Sequence, residues 1–259
     1  MISILTLLSG NEIPFAQAQI TIHVPTLKEI GYLGEEDFFS GIQLLNFSKN
    51  MLAEEDKVHL EEQTNFDIFI AILRERNAVM QYNRNCVEKV LLLLFPQYQI
   101  DFEKDAIKLT NINDESDIHT IDNSNYEEFK NIVTEIFDLK RTTGAGDEPN
   151  PSGEMSRRIA EKLKQRHQKL AELKDNADKK IDYISRQASI LAAAEHIDLN
   201  RVMEMTLYQL LDQIERYQLK SSYDIYVKAK MAGAKDMKDP EDWMQDIHSK
   251  VYLDKEKQN

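Results

Sequence analysis

The chain has 259 residues, 42% hydrophobic and 30% charged, with a net charge of −13. That is enough apolar content to bury a core and too much for a wholly disordered chain, while only 8 Gly and 6 Pro favour long helices over a turn-rich β protein. The longest apolar run, Val90 to Phe95, is far too short to cross a bilayer, and the single Cys86 leaves no internal disulfide framework and no clustered-cysteine zinc site.

In chain order, residues 2–8 (ISILTLL) and 18–24 (AQITIHV) read as two strands separated by Ser9-Gly10-Asn11. The first lacks the basic leader and cleavage site of a signal peptide, and with the lone cysteine this points to a reducing cytoplasm. In the second, Ile20 and Ile22 face a core, leaving His23 on the surface side rather than as a ligand. Thr26 with Glu29 forms a capping box that opens a short helix, interrupted at Gly34. Phe38, Phe39, Ile42 and Leu45 give the next helix its apolar face. Ala53 to Lys57 reads as a solvated helix start whose consecutive carboxylates lack calcium-loop spacing.

Two more helices are expected over 65–80 and 83–95, the first capped by Asn65 and the second stopped by Pro96. Cys86 falls on the packed face of the second, as a buried thiol. Residues 98–102, 106–110 and 117–121 read as a small antiparallel meander. An amphipathic helix follows over 126–139, with Phe129, Ile132, Val133, Ile136 and Phe137 on one side.

Residues 140–155 hold three Gly and two Pro and mark a linker. The Gly144-Ala-Gly146 within it is no phosphate loop, since the Lys and Ser/Thr of that motif are missing. The charge divides near this point. Residues 1–150 carry 12 Lys and Arg against 26 Asp and Glu, whereas residues 151–259 carry 20 against 19. An acidic first half disfavours nucleic acid and anionic membrane as partners. The one basic helix, 156–180, has nine Lys and Arg against four acids within 157–180, and a narrow apolar seam of Ile159, Leu163, His167, Leu170 and Leu173. It lacks aromatics for base stacking, so an ordinary solvated helix or a protein or self-association surface fits it better than nucleic acid.

Residues 181–195 continue as a better-buried helix through Ile184, Ala188, Leu191 and Ala192. The stretch 198–247 has the clearest grammar in the chain. Thr206 with Gln209 is a second capping box, followed by Leu207, Leu210, Leu211, Ile214 and Tyr217 at helical spacing. Gly233 stands where a helix stops in a left-handed conformation, and Asp239-Pro240 reads as the start of a short helix carrying Trp243 and Ile247. After Tyr252 the tail is expected to fray.

No local catalytic motif appears. The six His show no i, i+4 pair and no HExxH arrangement, and Asp242, Asp246 and His248 make a poor metal set because His248 points elsewhere on a helix. Catalytic, cofactor and metal residues are therefore expected to be absent. Partner binding is expected at the basic residues Arg157, Arg158, Lys162 and Arg166 and at the amphipathic aromatics Tyr208, Tyr217, Tyr226 and Trp243, a residue type enriched at binding hot spots.

Two stretches resemble a family. ITIHVPTLKEIGYLGEEDFFSGIQLL (20–45) resembles the start of many phage tail-module proteins, and VMEMTLYQLLDQIERYQLKSSYD (202–224) resembles an element in the C-terminal part of tail assembly chaperones of long-tailed phages. Together they cover about a fifth of the chain. The resemblance implies a non-catalytic assembly factor of the host cytoplasm, whose N-terminal part coats the tape measure protein and whose C-terminal part recruits tail tube subunits. The basic character of 156–180 is not part of that pattern. The alternative is a structural virion protein of the neck, tail or capsid, retained in the particle. The fold expected is α+β and mostly α: residues 1–140 as an N-terminal α+β domain with short antiparallel strands, 141–155 as a flexible linker, and 156–259 as a C-terminal helical domain.

Overall fold

The computed structural model describes residues 2–49, 63–74, 78–139, 183–234, 239–240, 242–244 and 247–248. The solvated helix start at 53–57, the linker at 140–155, the basic helix at 156–180 and the tail after Tyr252 lie outside the described residues. The chain is α+β and mostly helical, with short antiparallel sheets in its N-terminal half and helices towards its C-terminus.

The first element corrects the sequence reading. Residues 2–8 are not a strand; Ile4–Ser9 is a helix, α1. The β-branched run is overridden by its ends. Ser3 accepts a hydrogen bond from the Thr6 backbone N–H as N-cap, and Gly10, at φ 66°, closes the helix in the left-handed region. The strand that pairs with Ile20–Ile22 (β2) is instead Ile13–Phe15 (β1), antiparallel, with Pro14 opposite Thr21. Helix α2 (Leu27–Leu33) begins at the Thr26–Glu29 capping box, both halves of which form, and α3 (Glu35–Leu45) starts at Gly34.

Helices α4 (Asn65–Arg74) and α5 (Ala78–Leu94) follow. Thr64, not Asn65, caps α4: its hydroxyl accepts from the Asp67 N–H, and the Asp67 carboxylate accepts from the Thr64 N–H. Asn65 instead accepts from the Lys49 N–H and donates to Glu127, joining the start of α4 to two other segments. Strands β3 (Tyr98–Phe102), β4 (Ala106–Asn111) and β5 (Ile118–Asp122) form the expected meander in that order, and α6 (Tyr126–Ile136) docks through the apolar face read from its sequence. Beyond residue 182 come α7 (Tyr183–Glu195), α8 (Leu199–Met203) and α9 (Leu207–Met231). Gly233, at φ 87°, ends α9: its N–H donates to Lys230 O and the Ala234 N–H to Ala229 O, which satisfies two terminal carbonyls. The expected helix at Asp239-Pro240 does not form at the described residues, which are irregular or in turns. Asp239 accepts from the Tyr226 hydroxyl, so its carboxylate serves α9 and not a new helix start.

One contiguous set of buried side chains runs from α1 and the β1–β2 ribbon through α2 to α6 and on into α7 and α9. Rings fill its centre. Phe129 lies between Phe15 and Phe95 at centroid distances of 5.9 and 6.0 Å, and Tyr126 lies between Phe66 and Phe69 at 5.1 and 5.3 Å. The buried Tyr126 hydroxyl donates to Leu45 O.

The two capping boxes, 180 residues apart in sequence, meet here. Thr26 and Thr206 form an antiparallel bridge, and the Leu27 N–H donates to Met205 O at 2.7 Å, so α2 and α9 start side by side. Gln209 takes part twice: its Oε1 accepts from the Thr206 N–H, and its Nε2 donates to Leu8 O near the end of α1. Glu35, in the first turn of α3, accepts from the N–H groups of Ile184 and Ser185 at the start of α7. A carboxylate at a helix N-terminus satisfies orphan donors and complements the dipole. Thr206 is buried, so Thr206→Ala is expected to destabilise the fold by about 1 kcal/mol through loss of the cap, with Thr206→Ser close to wild type; the shift of the urea midpoint measures both.

Candidate functional site

Helix α9 is divided along its length. Leu207, Tyr208, Leu210, Leu211, Asp212 and Ile214 are buried in its first turns. Beyond Ile214 its side chains are half-buried or exposed, with Tyr223, Ile225 and Met231 among the exposed ones. At 1.5 Å per residue the helix is about 37 Å long, so more than half of it lies beyond the buried turns. That outer part carries Arg216, Lys220, Lys228 and Lys230 against Glu215 and Asp224.

The aromatic residues expected to bind partners are distributed unevenly. Tyr208 is buried, its hydroxyl 3.1 Å from His248 Nδ1 and its ring stacked on the His248 ring. It is part of the packing and is not on offer to a partner in this arrangement. Tyr217 is half-buried on α9. Tyr226 is half-buried and donates to Asp239, and Trp243 is half-buried with its carbonyl accepting from Arg216 at 3.2 Å. Arg157, Arg158, Lys162 and Arg166 lie outside the described residues.

Buried polar chemistry appears where spacing did not point. Asp212 and His248 are both buried, with Asp212 Oδ1 2.9 Å from His248 Nε2, an ion-pair distance bent away from a straight hydrogen bond. With Tyr208 they join the described end of the C-terminal segment to the first turns of α9. The available signal was an aspartate at position 212, inside the apolar stripe of a helix. Asp242 makes a local turn, accepting from the Met244 N–H, and does not approach this cluster as a ligand set. Among the described residues no group of three His, Cys, Asp or Glu is placed to hold a metal ion. Cys86 is buried, and that burial pushes its thiol pKa up, the opposite of an activated nucleophile.

A second polar constellation lies between β2 and the meander. A groove of about 400 Å³ is lined by Glu12, Gln19, Thr21, His23 and Phe95 to Tyr98, with Asp117 and His119 across it. Its two histidines, of which His23 is expected on the surface side, are both engaged. His23 Nε2 is 3.2 Å from Glu29 Oε1. His119 Nδ1 is 2.8 Å from Ala18 O, and its Nε2 is 2.8 Å from Asp117 Oδ1. Asp117 also accepts from the Asn111 amide at 2.8 Å and the Tyr98 hydroxyl at 3.2 Å. Asp117 and His119 are two residues apart, on one face of an extended segment, and this i, i+2 pairing was readable in principle.

The Asn111 amide, with help from His119 and Tyr98, holds the Asp117 carboxyl below the ordinary aspartate range. A carboxylate whose folded-state pKa is depressed adds stability that is present above its unfolded value and lost as pH falls through the folded one. Thermal midpoints are therefore expected to fall as pH drops from about 5 to below 3, and to fall less for Asp117→Asn than for wild type. An equal fall in both would remove Asp117 from the account.

Among the described residues, no helix is long and apolar enough to cross a membrane. Residues 176–248 match the family model of the YomV second domain, a phage-associated family. The match covers less than a third of the chain and spans α7, α8 and α9 with the described residues that follow. No curated protein and no solved structure matches the chain. The match supports a phage-associated protein.

Proposed function

We propose that this chain is a phage tail assembly chaperone that works by binding, without catalysis, in the host cytoplasm. In this reading the acidic N-terminal part, α1 to α6 with its two small sheets, holds the tape measure protein. The unit of α7 to α9 recruits tail tube subunits through the outer part of α9. The single observation that carries the proposal is the place where the stretch resembling phage tail-module proteins and the stretch resembling tail assembly chaperones come together. Residues 20–45 and 202–224 are distant in sequence yet joined at the Thr26–Thr206 bridge, so they belong to one surface-bearing unit. The match of 176–248 to a phage-associated family supports the same setting. The exposed aromatic and apolar side chains of outer α9 (Tyr223, Ile225 and Met231) supply a surface of the kind that partners bury.

Co-expression with the tape measure protein of the same phage tests it. The expected result is that the tape measure protein, insoluble alone, becomes soluble and co-purifies with the full chain. A tape measure protein that stays insoluble, with this chain remaining free, contradicts the proposal.

A further inference from the structure

The groove between β2 and the meander has an open strand edge on one wall. In the β1–β2 pairing, Pro14 stands opposite Thr21 and has no N–H to give. Neighbouring pairs in an antiparallel ladder alternate between exchanging hydrogen bonds and not, so the exchanging pairs are Ile13 with Ile22 and Phe15 with Ile20. The N–H and C=O of Thr21 then point to the opposite side of β2. The next residue facing that way, His23, donates its N–H to Leu94 O at 2.9 Å, which fixes the direction independently. Past Leu94 the chain turns through Phe95, Pro96 and Gln97, and these form the groove wall beside Thr21.

The groove's remaining polar capacity is specific. His23 is held by Glu29, while His119 and Asp117 are held by each other and by Ala18, Asn111 and Tyr98. Glu12 lines the groove and makes no hydrogen bond or ion pair among the described residues. What is left to a ligand is an exposed backbone donor and acceptor at Thr21, the Glu12 carboxylate, and the side-chain amides of Gln19 and Gln97. A strand edge calls for another strand, and a carboxylate calls for a cation. The half of the chain that holds the groove is acidic, since residues 1–150 carry 26 acids against 12 bases.

We propose that this groove binds an extended peptide segment carrying a lysine or arginine, added as a strand along the free edge of β2 at Thr21 with its cation at Glu12. The segment belongs to a partner protein, and the site stands whether or not the tail chaperone reading holds. The groove's size matches the lower range of small-ligand pockets, which suits one long side chain and its neighbours rather than a folded domain.

The test titrates the full-length 15N-labelled chain with the acetylated, amidated peptide Thr-Val-Arg-Val-Thr. Three controls accompany it: Thr-Val-Glu-Val-Thr, the Arg peptide N-methylated on its backbone, and the Glu12→Lys chain. The expected result is saturable shifts confined to the amides of Thr21, His23, Gln97 and His119, with affinity about tenfold weaker for the Glu peptide and for Glu12→Lys. N-methylation is expected to abolish the shift at Thr21. Glu12 is exposed, so its substitution leaves the fold intact, as the unchanged remainder of the spectrum would show. Absence of saturation at millimolar peptide, shifts centred elsewhere, or equal binding of the Arg and Glu peptides would each overturn the proposal.

Discussion

Replacing Phe129 with alanine is expected to destabilise the fold by about 3–5 kcal/mol, the usual cost of emptying a large aromatic site in a core. Phe129 is fully buried on α6 and touches rings from two other parts of the chain, Phe15 on β1 and Phe95 just after α5. Losing it leaves a void where the ribbon, the helices and the meander join, a place where no single element can collapse inward. Phe129→Leu keeps most of the volume and is expected to cost well under half as much. Urea denaturation of the two variants beside wild type reads the difference as a shift in midpoint at constant slope. A Phe129→Ala midpoint within error of wild type would mean that α6 does not pack as described.

The second large effect comes from the smallest side chain. Helices α3 and α5 pack tightly at Gly41, where a Cβ would stand 2.6 Å from Cys86 O and 2.7 Å from Val90 Cγ2. The first of these is backbone and cannot step aside. Gly41→Ala therefore forces the helices apart, at an expected cost of about 3 kcal/mol, the upper end of the usual overpacking range. The outward pressure falls beside the Asp37 cluster, where Lys89 and Tyr82 of α5 both donate to the Asp37 carboxylate of α3. Those hydrogen bonds should lengthen in the variant. A melting curve of Gly41→Ala gives the size of the loss, and an unchanged midpoint would show the two helices to be further apart than described.

Local signals with a defined geometry were readable from the sequence. Both capping boxes form with both reciprocal hydrogen bonds, Gly233 adopts the left-handed conformation expected of it, and the meander and α6 fall where alternation and helical spacing put them. Where the structure departs from the sequence pattern, end groups override propensity. Residues 2–8 are rich in strand formers, yet Ser3 and Gly10 bracket a helix, and Thr64 with Asp67 outranks Asn65 as a cap. At 239–240 an aspartate followed by proline suggested a helix start, but its carboxylate is taken by Tyr226.

The candidate sites were less legible because they depend on distant residues. Spacing can show that Asp117 and His119 share a face, but not that Ala18 O sits on the far side of the imidazole. It can show an aspartate inside the apolar stripe of α9, but not that His248 returns to it. Likewise, amphipathic tyrosines look alike in sequence. Tyr208 and Tyr226 lie on the same helix, and only the fold separates the one that is packed inside from the one near its outer end.

The measurement that most directly tests the central claim is mass spectrometry on two samples: the proteins captured with this chain from lysate late in infection, and the proteins of purified phage particles. A tail assembly chaperone is expected to bring down tape measure and tail tube proteins from the lysate and to be missing from the particles. Stoichiometric presence of this chain in the particles would contradict that account and make it a structural component of the virion.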